Sequence, residues 1–436
     1  MDQKSLKAGN SYFMHWFQRK KSVLVVFMLL FGWIGCSSEK VVETEPPTAH
    51  ITAIDSLIQQ AIELEHIPGA VIQIKHKDTV WHRAAYGFAQ KYRYGMQAMD
   101  KPEPMTVHHL FDLASLTKVS ATTFGIMLMI DDEKIALDDP ISTYLPTFKN
   151  GQKSEITIRH LLTHSSGLPQ WLPTYYYASN AEERYQYIAA QPLQWPVGEE
   201  RHYSDLGFML LGDIIEQVSG MELDEFLQNE LYQPLGLEHT TFNPLDNGFK
   251  HIAATSHGNP FERKMVYHDD FGYEVDVNPQ SWDGWRTHTL KGEVSDGNAW
   301  YANGGVAGHA GLFSTVDDLQ VLVDLLMNSG RFRGSQLITK SIIDTFLTEN
   351  RFGNGLGWAM DKDVIAAEGT PDGTFGHTGF TGTNMVAIPK FDLTIILLTN
   401  RQNTGLQEGG YYYNLSSLRQ KLVDLVLGHL SEVQQN

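Results

Sequence analysis

Ser115 and Lys118 stand three residues apart, behind Phe111-Asp112-Leu113-Ala114 and ahead of an apolar run over residues 122–129. On a helix that spacing puts both side chains on one face, within reach of each other. An amine whose pKa is lowered by burial can take the proton of a serine hydroxyl. A helix N-terminus favours the negative charge that develops on an attacked carbonyl. The segment therefore carries the parts of an activated-serine acyl-transfer site. Spacing alone is weak, since Ser37 and Lys40 repeat it in a polar stretch that reads as a linker.

The surroundings supply the weight. Residues 156–168 hold Thr157-Ile158-Arg159-His160-Leu161-Leu162-Thr163-His164-Ser165-Ser166-Gly167-Leu168, a helical pattern closed by a Gly turn. Trp195-Pro196-Val197-Gly198 leads to Tyr203-Ser204-Asp205 and an apolar helix over 208–215. A Gly-rich segment, 304–311, contains His309, and Gly376-His377-Thr378-Gly379-Phe380 precedes two C-terminal strand patterns. In this order the motifs resemble the serine β-lactamase and penicillin-binding protein superfamily, in its class C-like branch. The Gly-rich segment is similar to one in penicillin-binding protein 4B-like D,D-carboxypeptidases. The resemblance spans residues 51–430. It implies an α/β (α+β) fold of the β-lactamase/transpeptidase type, with the site between a sheet domain and an α-helical domain.

The resemblance also assigns roles. Ser115 is the expected nucleophile, Lys118 shares its proton, and Tyr203 is the expected general base and donor to the leaving group. Thr378 is expected to meet a substrate carboxylate, with Gly379 beside it. The amides of Ser115 and Phe380 form the expected oxyanion hole. No metal or other cofactor is required. Two positions depart from the family. His377 stands where many β-lactamases have Lys, which shifts expectation toward peptides. Because histidine titrates near neutrality, it predicts a pH–rate profile sensitive near pH 6–7. Asp205 replaces an Asn; an ionised Asp only accepts hydrogen bonds, so a substrate carbonyl contact there is lost unless Asp205 is protonated, and Asp205 could instead pair with Lys118 or with a substrate cation.

Composition narrows the function classes. Lys+Arg 33 against Asp+Glu 51 gives a formal charge of -18, which argues against nucleic-acid binding. The sole cysteine, Cys36, follows Arg19-Lys20-Lys21 and an apolar stretch over 23–34. That stretch is short for a membrane span, and the arrangement resembles a bacterial lipoprotein signal. Residues 1–35 then read as signal peptide, with Met14 a more usual start, 36–50 as tether, 51–430 as the hydrolase and 431–436 as tail. A lipid anchor at Cys36 would place the chain in the cell envelope, by analogy at the outer membrane.

The elements that must position the site are also legible. Residues 51–67 have helical spacing, 70–75 and 79–86 read as a hairpin, 383–388 and 393–399 as two strands, and Leu418, Leu422, Leu425 and Leu430 mark a last helix. An antiparallel sheet from both termini, covered by helices, follows. His160 and His164 read as structural rather than zinc ligands, and His309 as a hydrogen-bonded structural residue. The aromatic stretches around Trp171, Tyr175 and Tyr177, and around Tyr267, Phe271, Tyr273, Trp282, Trp285 and Trp300, either wall a cleft or pack on the body. The expected function is a serine hydrolase of D,D-carboxypeptidase type acting on a small peptide. A β-lactamase or esterase, or a non-catalytic wall-peptide or β-lactam binder, is the alternative.

Overall fold

The C-terminal strand pattern over 393–399 shows no polar–apolar alternation, which a strand tolerates only when both faces are covered. In the computed structural model, which describes residues 48–268, 273 and 275–435, that is its situation. Cys36, the signal segment and most of the tether lie outside the described residues, as does Phe271. The strands are β1 (Gly69–His76), β2 (Thr79–Arg93), β3 (Gln97–Pro104), β4 (Phe111–Asp112), β5 (Thr241–Phe242), β6 (Leu312–Ser314), β7 (Arg331–Phe332), β8 (Ser335–Gln336), β9 (Phe375–Thr378), β10 (Asn384–Ile388) and β11 (Leu393–Thr399). The main sheet runs β3-β2-β1-β11-β10-β9 and is antiparallel throughout.

Register fixes which residue meets which layer. Val71 pairs with Leu398 across β1 and β11, and Ile72 with Leu397. Ile72, Ile74, Ile395 and Leu397 face one core with Ile54 and Ile58 of the first helix (Thr48–Glu63) and Leu418 and Leu422 of the last (Ser416–Gln435). Val71, Ile396 and Leu398 face the opposite core, shared with the helical region. Each such aliphatic side chain contributes about 1.5–3 kcal/mol relative to exposure. The expected sheet from both termini is thus observed, with β3 and β9 added at its edges.

The second layer holds the site. Helix Asp205–Ser219 buries Phe208, Leu211 and Ile215 against the apolar run after Lys118. Ser204 caps it, its Oγ accepting from the Gly207 amide at 3.3 Å while donating to Pro169 O at 2.7 Å. A small sheet, β4-β6-β5, ties the segment before Ser115 to the end of the Gly-rich stretch, Phe111 pairing with Ser314. The Gly-rich stretch passes unusually close to the helix. A Cβ on Gly308 would lie 2.1 Å from Phe208 O and 3.0 Å from the Gly212 nitrogen, so only glycine fits.

Candidate active site

Ser115 occupies a turn just before its helix, and the turn is clamped from three sides. Ala114 has φ 46°, a conformation that costs a non-glycine residue about 1–3 kcal/mol and persists only when surroundings enforce it. Asp112 enforces it: Oδ1 accepts from the Ala114 amide at 2.9 Å and Oδ2 from the Ser295 amide at 2.6 Å. Burial pushes the Asp112 carboxyl up to about 6, the two amides pulling the other way. Thr381 Oγ1 donates to Asp112 O at 2.6 Å, and Thr383 Oγ1 to Leu113 O at 3.0 Å. The turn that carries Ser115 is therefore bolted to the turn after β9. Ser115 precedes its helix and Phe380 lies past the end of β9, so neither amide belongs to a strand ladder.

Lys118 begins a wider, π-helical turn over Lys118–Thr122 and has no solvent exposure. Its Nζ donates to Ser115 Oγ at 3.1 Å and to the His309 carbonyl at 3.1 Å, and faces Asp205 Oδ1 at 2.7 Å. Burial pushes this amine down, but Asp205 and then Tyr203 outweigh it and carry it above its ordinary value. This corrects the expectation of a lysine made basic by burial: Lys118 rests as an ammonium. Of the two alternatives for Asp205, the structure takes the pairing with Lys118.

Tyr203 comes within hydrogen-bonding reach of Ser115 and Lys118. Burial holds its phenol above the usual value, Lys118 opposing and Asp205 adding, so it rests protonated. His164 positions it. That ring lies 4.4 Å from the Tyr203 ring and 5.1 Å from Phe208, and its Nδ1 accepts from the Ser204 amide at 3.0 Å. Burial keeps His164 far below its ordinary pKa, hence neutral. His160 serves elsewhere: its Nδ1 accepts from the Thr157 amide at 3.2 Å, capping helix Ile158–Leu162. The two rings have separate local tasks.

His377 sits in β9 opposite Met385, and its Nδ1 shares a hydrogen bond with Thr378 O at 2.8 Å. Burial, then the neighbouring Lys118 ammonium, pushes it down to about 3. The expected charge change near pH 6–7 is therefore corrected: His377 is neutral across that range and supplies no cation. His309 is 1% exposed, and its Nε2 meets Asp296 Oδ1 at 2.9 Å. Its carbonyl, which holds Lys118, is the functional contact that sequence reasoning missed.

Two cavities meet at Ser115. The first spans about 900 Å³, part of it open to solvent, and has aromatic walls, Trp171, Phe261, Tyr273, Phe380 and Tyr412. Among its described lining residues are Asp205, Glu262 and Asp296 but no Lys or Arg. The second, about 920 Å³, is lined by His377, Thr378 and Gly379 together with Arg201, Arg401 and Arg419. The aromatic stretches divide between both expected uses. Trp171 and Tyr273 meet tilted, centroids 5.5 Å apart, along the first cavity, while Tyr175, Trp282, Trp285 and Tyr301 pack on one another. Glu262, Asp296 and the arginines carry no spacing signal; only their place on the cavity walls beside Ser115 singles them out.

Glu262 accepts from the Gly297 amide at 2.7 Å and lies near Asp296. Burial, with Asp296 adding, pushes it up to about 8 from 4.5. A raised carboxyl stabilises the fold fully below its unfolded pKa and loses that contribution as pH rises through the folded value. Thermal melts from pH 5 to 9 are expected to show a steeper loss of Tm in the native chain than in Glu262→Gln. Parallel curves would remove this group from the pH response.

Comparison with known proteins agrees with this geometry. The Beta-lactamase family pattern matches residues 54–418. An N-acetylmuramyl-L-alanine amidase of Bacillus subtilis (strain 168) is 34% identical over 380 residues, covering 82% of each chain. A protein of Escherichia coli (strain K12), provisionally named D-alanyl-D-alanine carboxypeptidase, is 35% identical over 377 residues, covering 81% of this chain and 83% of its own. In fold, a penicillin-binding protein homologue from Caulobacter crescentus superposes with a TM-score of 0.64 at 20% identity, over 87% of this chain and 97% of its own. With the family pattern running from the first helix to the last and Ser115 hydrogen-bonded to Lys118 within it, the chain belongs to the Beta-lactamase family, within the serine β-lactamase and penicillin-binding protein superfamily.

Proposed function

We propose that this chain is a cell-envelope serine hydrolase that cleaves an amide of a wall peptide through a Ser115 acyl-enzyme. The observation that carries the reading is the contact set at Lys118: Ser115 Oγ, Asp205 and the His309 carbonyl all converge on one buried ammonium. Proton accounting then defines the route. Lys118 is protonated and Tyr203 is a phenol, so the vacancy in the cluster is the Asp205 carboxylate. As Ser115 Oγ bonds to the substrate carbonyl, Lys118 receives the serine proton and passes one of its own to Asp205. Tyr203 gives its proton to the leaving nitrogen as the C–N bond breaks and regains one from Lys118, which takes back the proton held by Asp205, so the carboxylate is vacant again. Water then repeats the sequence to release the acid. The Ser115 and Phe380 amides carry the oxyanion.

Two relatives bracket the substrate. A D,D-carboxypeptidase type, releasing a terminal D-alanine, fits Thr378 and the cationic side of the cleft. A muramyl-alanine amidase type is favoured by the aromatic-walled cavity, since sugar faces stack on such rings. Cys36 and the basic and apolar segments before it support a lipid-anchored lipoprotein. Incubation with penicillin followed by intact-mass measurement tests the chemistry. A persistent adduct that is lost in Ser115→Ala is the expected result for a peptidase. Rapid penicillin hydrolysis without an adduct would instead make it a β-lactamase. If a fluorophosphonate probe also leaves Ser115 unlabelled, the chain is a non-catalytic binder.

A further inference from the structure

The two cavities at Ser115 differ in charge, and the difference exceeds what a single substrate carboxylate would balance. The second cavity has three guanidiniums, Arg201, Arg401 and Arg419, against one carboxylate, Asp361, among its described lining residues. His377 is neutral there, so an excess of two positive charges remains. The three arginines are not equally free. Arg401 donates to Phe380 O at 2.7 Å and to Tyr413 O at 2.6 Å, and so serves the turn that carries the oxyanion amide. Arg419, on the last helix, is 8% exposed and donates to Thr383 O at 3.2 Å, while its Nε has no partner. Arg201, two residues before Tyr203, is half-buried and makes no close hydrogen bond or ion pair with another described residue, Asp361 and Tyr203 acting on its charge only from a distance. Asp361 is already engaged, its Oδ1 accepting from the Asp363 amide at 3.1 Å.

A buried or half-buried cation with few partners is costly, and a cleft of one sign concentrates ligands of the other. Guanidinium forks match carboxylates specifically. We propose that Arg201 and Arg419 form a subsite for a second carboxylate, beside the one met at Thr378, so that the preferred substrates release an amine bearing at least two carboxylates. This rests on the reading of the Thr378 side as the leaving-group side of Ser115. A released D-alanine has one carboxylate and leaves half the excess unmatched. A released peptide with an acidic residue neutralises it. The cavity on the other side lacks basic residues among its described lining, which orients such a substrate in one direction only.

The test is calorimetric titration of the full chain at low salt with alanyl-D-glutamate and with alanyl-D-alanine, which share the amine and differ by one carboxylate. The expected result is about tenfold tighter binding of the glutamate peptide, the scale of one charge-assisted pairing. In Arg201→Gln the ratio falls to about one, and in Arg201→Lys, which keeps the charge without the fork, it is intermediate. Equal affinities in the native chain, no binding of either peptide at millimolar concentration, or an unchanged ratio in Arg201→Gln would each overturn the proposal. Binding is read without any reaction at Ser115, so failure of the acyl-enzyme reading shows separately, in the penicillin adduct.

Discussion

Asp205→Asn is expected to slow fluorophosphonate labelling of Ser115 about a hundredfold at pH 6 and to give it a new, rising pH dependence. In the proposed route Asp205 takes up the serine proton, and a positioned acid–base group contributes about 10²–10⁴-fold. It also sets the state of its neighbour. Burial is the largest influence on Lys118 and pushes its pKa down; the paired carboxylate reverses that direction. With Asn in place, burial acts without its main opponent. The variant then uses the free amine of Lys118 as the acceptor, which becomes available only as the pH rises. Its labelling rate should climb with pH and approach the native rate at the alkaline end. Labelling at the native rate with an unchanged pH profile would show that Asp205 merely neutralises Lys118.

This behaviour was only half legible in the sequence. The Ser115–Lys118 spacing and the Tyr203 motif are local, and their meeting at one point follows once both are placed. The pairing of Asp205 was one of two open alternatives, because a sequence shows a carboxylate but not the distance to an amine 87 positions away. His377 was misjudged for a related reason. Its type predicts titration near neutrality, but its neighbours Lys118, Arg201 and Arg419 come from three remote segments, and together with burial they hold it neutral. The strand around it, β9, is four residues with a glycine and gives no alternation to detect. Likewise β3 has the sequence Gln-Ala-Met-Asp-Lys-Pro-Glu-Pro and no buried face, so no apolar pattern marks it. In contrast β1, β10, β11 and the terminal helices bury whole faces, and their apolar periodicity made the core of the sheet readable. Arg201 was visible beside Tyr203, but its lack of a partner is a property of the folded cleft alone.

Tyr203→Phe separates the two halves of the proposed reaction. The phenol is held protonated by burial, so its part is to donate to the departing nitrogen rather than to start the attack. An amine leaves an acyl carbon only if it is protonated as the bond breaks, whereas p-nitrophenolate leaves without help. Amide hydrolysis by Tyr203→Phe is therefore expected to fall about 10³-fold in kcat, within the range for loss of a positioned proton donor. Turnover of p-nitrophenyl acetate should fall tenfold or less, about 1.4 kcal/mol in barrier. The phenyl ring keeps the tilted ring contact with His164 at 4.4 Å, so the loop retains its packing and the contrast reads the hydroxyl alone. Equal losses on amide and ester would place Tyr203 in the attack itself, as the acceptor of the Ser115 proton. That would require Tyr203 to rest as a phenolate beside Lys118, and Asp205 would then have no catalytic part beyond holding the ammonium. Since Asp205→Asn would in that case leave labelling unchanged, the two variants together assign the proton path from either direction.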